Sequence, residues 1–142
     1  MPYQVSVFAE NKPGKIERIT SVLNENEINI RAITIADSGD YGIIKLLLDR
    51  PEEGCEHLKE KGIAATLKEI VAVKIEDKPG GLYHVASLLR EQNINVDDAY
   101  GFMVKSHEES VFVFQVDDVK NAEKILENSG FTILKEKELY YL

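Results

Sequence analysis

Apolar and polar positions alternate at the start of the chain. Tyr3, Val5 and Val7 interleave with Gln4, Ser6 and Phe8, which predicts a strand. After Lys12-Pro13-Gly14 the period changes: Ile16, Ile19 and Leu23 recur at helical spacing, with Glu17, Arg18 and Glu25 off that face. Asn29 to Ile35 is β-branched and strand-like, Ser38-Gly39-Asp40 reads as a turn, and Gly42 to Asp49 as a second member of a hairpin. Glu52 to Lys61 is a predicted helix that Gly62 ends, and Ala64 to Ile70 a fourth strand.

The pattern then repeats. Glu10-Asn11-Lys12-Pro13-Gly14 returns as Glu76-Asp77-Lys78-Pro79-Gly80, an offset of 66. Ser21, Leu23 and Glu25 match Ser87, Leu89 and Glu91, and Ile28-Asn29-Ile30 matches Ile94-Asn95-Val96. Farther on the offset is 68: Asp49 matches Asp117, and Gly62 matches Gly130. The second copy therefore carries two extra residues, placed near Lys105–Glu109. Its predicted strands are Val71 to Ile75, Val96 to Val104, Ser110 to Val116 and one beginning at Phe131 to Leu134. Its helices carry Leu82, Val85, Leu88 and Leu89, then Val119 to Asn128. Tyr140 and Tyr141 are expected in a sheet or interface.

Each copy reads βαββαβ, so the fold class is α+β: two tandem ferredoxin-like units, each an antiparallel sheet with helices on one face. A period this long means two domains, expected at residues 1–70 and 71–142, and not a solenoid. A core of that size is marginal alone, which favours association into a homodimer.

Composition narrows the function. The net charge of −8 argues against nucleic acid, and no apolar run approaches the ~20 residues of a membrane span. The single cysteine, Cys55, and the absence of a basic-then-apolar leader lead us to expect a reducing, cytoplasmic setting. His57, His84 and His107 form no paired ligand spacing, so no metal or cofactor is expected. No nucleophile–base pair is evident, and no catalytic residue is assigned.

The paired Asn/Asp-x-Pro-Gly turns, each followed by an amphipathic helix and a hydrophobic-Asn-hydrophobic step, resemble the first half of an ACT domain. The whole chain is similar to stand-alone tandem ACT proteins that bind amino acids. The resemblance implies a non-catalytic regulator that binds a small amino acid and acts on a partner, such as an enzyme of amino-acid metabolism. It also implies a ligand lying between the turn and a strand of an adjacent ACT unit. Carried over residue by residue, the ligand-binding positions are Asn11, Lys12, Pro13, Gly14, Lys15, Ile16, Asn29 and Ile30, then Asp77, Pro79, Gly80, Gly81, Leu82 and Asn95.

The chemistry suits such a ligand. A carboxylate needs clustered N–H donors, which a helix start near Gly14 to Ile16 supplies, and an ammonium needs oxygen acceptors such as Asn11 or Asp77. Asp77 in place of Asn11 should make the two sites unequal, with the first the better family-like turn. Asn11 and Asp77 have a second reading as Asx-turn or capping residues. Two positions before the turn Asn, Ala9 and Ile75 stand where serine-sensing members are polar, and Glu27 and Asn93 stand where many members have Gly. Two other classes compete with the regulator: an assembly module without a ligand, and a small acylphosphatase-like enzyme, which would want an arginine in the first loop.

Overall fold

The computed structural model describes residues 2–142 in backbone and, Ser38 aside, in side chain; Met1, which opens the first expected domain, lies outside them. The chain divides into two compact units, residues 3–68 and residues 69–140.

The first unit runs β1 (Tyr3–Glu10), α1 (Lys15–Glu25), β2 (Ile30–Ser38), β3 (Tyr41–Leu48), α2 (Pro51–Glu60) and β4 (Ala64–Glu69). Its sheet has the order β2-β3-β1-β4, with β1–β3 and β2–β3 antiparallel. The second unit repeats this as β5 (Val71–Glu76), α3 (Gly81–Glu91), β6 (Val96–Lys105), β7 (Glu109–Val116), α4 (Val119–Asn128) and β8 (Thr132–Ile133), ordered β6-β7-β5-β8. These are the two ferredoxin-like units that the repeat predicts.

One core lies in each unit. Val5, Val7, Ile44, Leu46 and Leu48 of the first sheet meet Ile19, Leu23 and Leu58 from its helices. Val71, Val73 and Phe114 meet Val85, Leu89 and Leu126 in the second. The alternation seen in sequence is thus the inward register of the sheet, since Val5 pairs with Leu46 and Val7 with Ile44.

The matched glycines and aspartates have concrete jobs. Gly62 and Gly130 sit at φ 77° and 92° just past α2 and α4. There Ile63 N–H donates to Leu58 O and Phe131 N–H to Leu126 O, both at 3.0 Å, which satisfies carbonyls left open at the helix ends. Asp49 and Asp117 pin the starts of β2 and β6. Asp49 Oδ1 accepts from Asn29 N–H at 3.0 Å, and Asp117 Oδ1 from Asn95 N–H at 3.2 Å. Both strands then bulge, between Ile30 and Ala32 and between Val96 and Asp98.

The two extra residues of the second copy are also resolved. In the first hairpin Ser38 pairs with Tyr41 across a two-residue turn. In the second, Lys105 pairs with Glu109 across residues 106–108, and a further irregularity falls between Met103 and Lys105. One residue therefore enlarges the loop and the other forms a bulge.

The end of the chain corrects the sequence reading. β8 is only Thr132–Ile133, and a short helix, α5 (Glu136–Tyr140), follows it. Tyr140 is buried at the end of that helix and not in a sheet, while Tyr141 is exposed.

Candidate functional site

The two Pro-Gly turns adopt the same backbone. In the first, Lys12 N–H donates to Glu10 O at 3.0 Å and Arg18 N–H to Gly14 O at 2.9 Å. In the second, Lys78 N–H donates to Glu76 O at 2.9 Å and His84 N–H to Gly80 O at 3.1 Å. Gly14 and Gly80 are the N-cap residues of α1 and α3, at φ 91° and 86°. That left-handed conformation selects glycine. Neither helix has a side-chain cap; the first N–H of each turns back into the loop, Lys15 N–H donating to Lys12 O at 3.4 Å and Gly81 N–H to Lys78 O at 3.2 Å. A Cβ on Gly14 would meet nothing within 4 Å, so the backbone there is open to approach.

Asn11 and Asp77 do not cap these helices. The Asn11 Nδ2 group donates to Asp37 Oδ1 at 3.0 Å and to Gly39 O at 3.1 Å, and its Oδ1 accepts from Lys15 Nζ at 2.5 Å. Asp77 Oδ2 accepts from His107 N–H at 2.8 Å. Each residue fastens its Pro-Gly turn to the tip of the neighbouring hairpin. The reading as helix caps is thereby corrected: glycine occupies the cap position, and the polar side chain lies three residues upstream.

Beside each turn a cleft opens within its own unit. In the first unit it measures about 340 Å³, walled by Lys12, Pro13, Gly14 and Lys15 on one side and by Gly62, Ile63 and Ala64 on the other. Phe8 and Tyr41, stacked at 4.8 Å between ring centroids, and Arg18 complete it. In the second unit the matching cleft, about 540 Å³, takes Lys78, Gly81 and His84 from the turn and helix and Gly130, Phe131 and Thr132 opposite. Lys78 hydrogen-bonds and pairs with Glu76, whose carboxyl is held below the usual range by that ammonium.

Of the positions singled out in sequence, Lys12, Pro13, Gly14 and Lys15 line the first cleft and Gly81 the second. Asn11, Asp77, Pro79 and Gly80 build the turns alongside. Ile16 packs against the core, and Leu82 is exposed. Asn29, Ile30 and Asn95 are elsewhere. β2 runs nine residues, Ile30–Ser38, and Ser38 pairs with Tyr41 near the turn. At ~3.3 Å per residue Asn29 lies roughly 25 Å from Asn11 along the sheet. Within one unit, Asn29 therefore does not share the cleft with Asn11. Asn95 instead lines a groove with Arg90 and Asn93.

Sequence reasoning missed Arg18, Tyr41 and the Gly62–Ala64 wall. Arg18 had a usable signal, since it stands one helical turn after Gly14. Among the described residues no group of histidines, cysteines and carboxylates could hold a metal ion, and no helix is long and apolar enough to cross a membrane.

Comparison with known proteins agrees with this architecture. A family model described as an ACT domain pair matches residues 2–142. A crystal structure of a protein from Bacteroides thetaiotaomicron is 26% identical, covers 99% of this chain and 96% of its own, and superposes with a TM-score of 0.92. The ligand-free regulatory subunit of aspartate kinase from Thermus thermophilus shares the fold at 16% identity, with 90% of this chain and 92% of that one covered and a TM-score of 0.66. The corresponding subunit from Thermus flavus follows at 15% identity, 89% and 91% coverage and a TM-score of 0.61. No curated protein matches the chain. With both turns, both sheets and a family model spanning nearly its whole length, the chain belongs to the ACT domain pair family.

Proposed function

We propose that this chain is a non-catalytic regulator that binds a small amino acid at the Pro-Gly turns of two ACT domains, residues 1–70 and 71–142. It works as a cytoplasmic homodimer on a partner enzyme of amino-acid metabolism. One observation carries the reading: each unit places an uncapped helix start, opened by a left-handed glycine, on the wall of a cleft sized for a small ligand. Backbone N–H groups at such a start bind a carboxylate, and the helix dipole adds to the attraction. Glu10 and Glu76 on the cleft walls, with Asn11 and Asp77 in the turns, offer oxygen to an ammonium.

The name of the Thermus subunits, regulatory subunit of aspartate kinase, supports the class of partner by analogy of fold. Isothermal titration calorimetry of the full chain against the twenty proteinogenic amino acids tests the reading. Saturable binding of one or a few is expected; no binding of any would leave an assembly module. Sedimentation equilibrium at micromolar concentration should give twice the chain mass.

A further inference from the structure

We propose that the cleft of residues 3–68 selects an acidic amino acid, whose side-chain carboxylate is taken by Lys15 and Arg18; this rests on the amino-acid-binding reading above. The two clefts share one geometry but differ in charge. The first carries Lys12, Lys15 and Arg18 against the single carboxylate of Glu10. Lys12 pairs with Glu10 at 3.1 Å, which leaves two cations. Both are held by neutral oxygens: Lys15 Nζ donates to Asn11 Oδ1 at 2.5 Å and Arg18 Nη2 to Lys61 O at 2.8 Å. The second cleft has Gly81 and His84 at the matching positions and adds Glu108 and Glu109. There Lys74 pairs with Glu109 at 2.8 Å and Lys78 with Glu76 at 2.9 Å.

Two facts make the excess of positive charge more than a solvated surface. The chain as a whole carries 25 acidic residues against 17 lysines and arginines, so carboxylate partners are abundant and are used in the second cleft. Lys15 also opens the first turn of α1, where the helix dipole disfavours a cation, and Arg18 follows one turn after Gly14, with Glu17 the acidic residue between them. The stacked rings of Phe8 and Tyr41 give the ligand's methylene groups an apolar wall, and the volume of about 340 Å³ fits one small molecule. In this arrangement the α-carboxylate meets the start of α1, the ammonium meets Glu10, and the second carboxylate is drawn by the charge of Lys15 and Arg18.

The test is calorimetry on the full chain with L-aspartate, L-glutamate, L-asparagine and L-glutamine, using the parent, Lys15→Gln and Arg18→Gln. One acidic amino acid should bind at least ~10-fold more tightly than its amide, since a hydrogen-bonded charge pair is worth that much. Each substitution should reduce affinity for the acid by about tenfold and leave the amide almost unchanged. Because Arg18 also closes the end of α2 through Lys61 O, Lys15→Gln carries the decision and melting curves check both variants. Amides binding as tightly as acids, or an acid-to-amide ratio unmoved by Lys15→Gln, overturns the proposal. Succinate and glutarate binding as well as the amino acids would also overturn it, by showing an anion site blind to the ammonium. Tight binding of a neutral amino acid alone sinks this inference and leaves the regulator reading standing; no binding of any amino acid removes both.

Discussion

Asn11→Ala should destabilise the first unit while leaving the second untouched. The substitution deletes three hydrogen bonds: two donated by Nδ2, to Asp37 Oδ1 and Gly39 O, and one accepted from Lys15 Nζ. All three are exposed, so each sits near the lower end of the usual net worth of ~0.5–1.5 kcal/mol. Their sum is about 1.5 kcal/mol. For a unit of this size each kcal/mol moves Tm by ~4–8 °C, so a drop of roughly 6–12 °C is expected by circular dichroism or calorimetric melting. Asp37 keeps one partner in the variant, because Gly39 N–H also donates to its Oδ1 at 3.0 Å. A double-mutant cycle of Asn11→Ala with Asp37→Ala should therefore return a coupling of about 0.5–1 kcal/mol. A variant that melts within a degree of the parent, with no coupling in the cycle, would refute the claim that Asn11 fastens the turn to the hairpin.

Three further outcomes follow from the same structure. Glu27 holds φ 55°, a conformation costing an L-residue ~1–2 kcal/mol, so Glu27→Gly should raise Tm by several degrees; an unchanged or lower Tm contradicts the strain. Burial, aided by the Asp98 carboxylate, raises the Tyr100 phenol well above its ordinary pKa of ~10. Because the neutral form is favoured in the fold, that stabilisation is complete below ~pH 10 and is lost as pH rises toward the folded pKa. Absorbance titration at 295 nm should show one tyrosine ionising after the rest. Asn29→Ala should leave Tm nearly unchanged, since its fixed bonds are through the backbone to Asp49. If Asn29 serves a ligand in another unit, the same variant should lose about 10- to 100-fold in amino-acid affinity by calorimetry.

Much of the fold was legible because each signal occurred twice. The Pro-Gly turns, the Gly62 and Gly130 helix ends and the Asp49 and Asp117 matches each recur at fixed offsets, and each proved to be a backbone requirement. The same symmetry misled at the end of the chain. A strand like β4 is expected to continue after Ile133, yet Lys135 N–H donates to Glu138 Oε1 at 3.3 Å, half of a capping box that starts α5. Glu27 and Asn93, which stand where many members have Gly, hold left-handed backbone at φ 55° and 56°.

The site was legible only in part. A turn is a local object, so Lys12 to Lys15 could be found from the motif. The cleft is not local: Phe8, Arg18, Tyr41 and Gly62 come from four different segments, joined by a register that no spacing states. Asn29 shows the opposite failure. It lies close to Asn11 in the motif and is carried to the far end of β2 by the length of the strand.

The central claim, an amino acid seated at the Pro-Gly turn, is tested most directly by ¹H–¹⁵N correlation spectra of the labelled chain during titration with whichever amino acid binds. The account predicts shift changes concentrated at Gly14, Lys15 and Arg18 and along the facing wall from Gly62 to Ala64. Binding that moves neither the Gly14 nor the Gly80 turn, and shifts residues elsewhere, would contradict it.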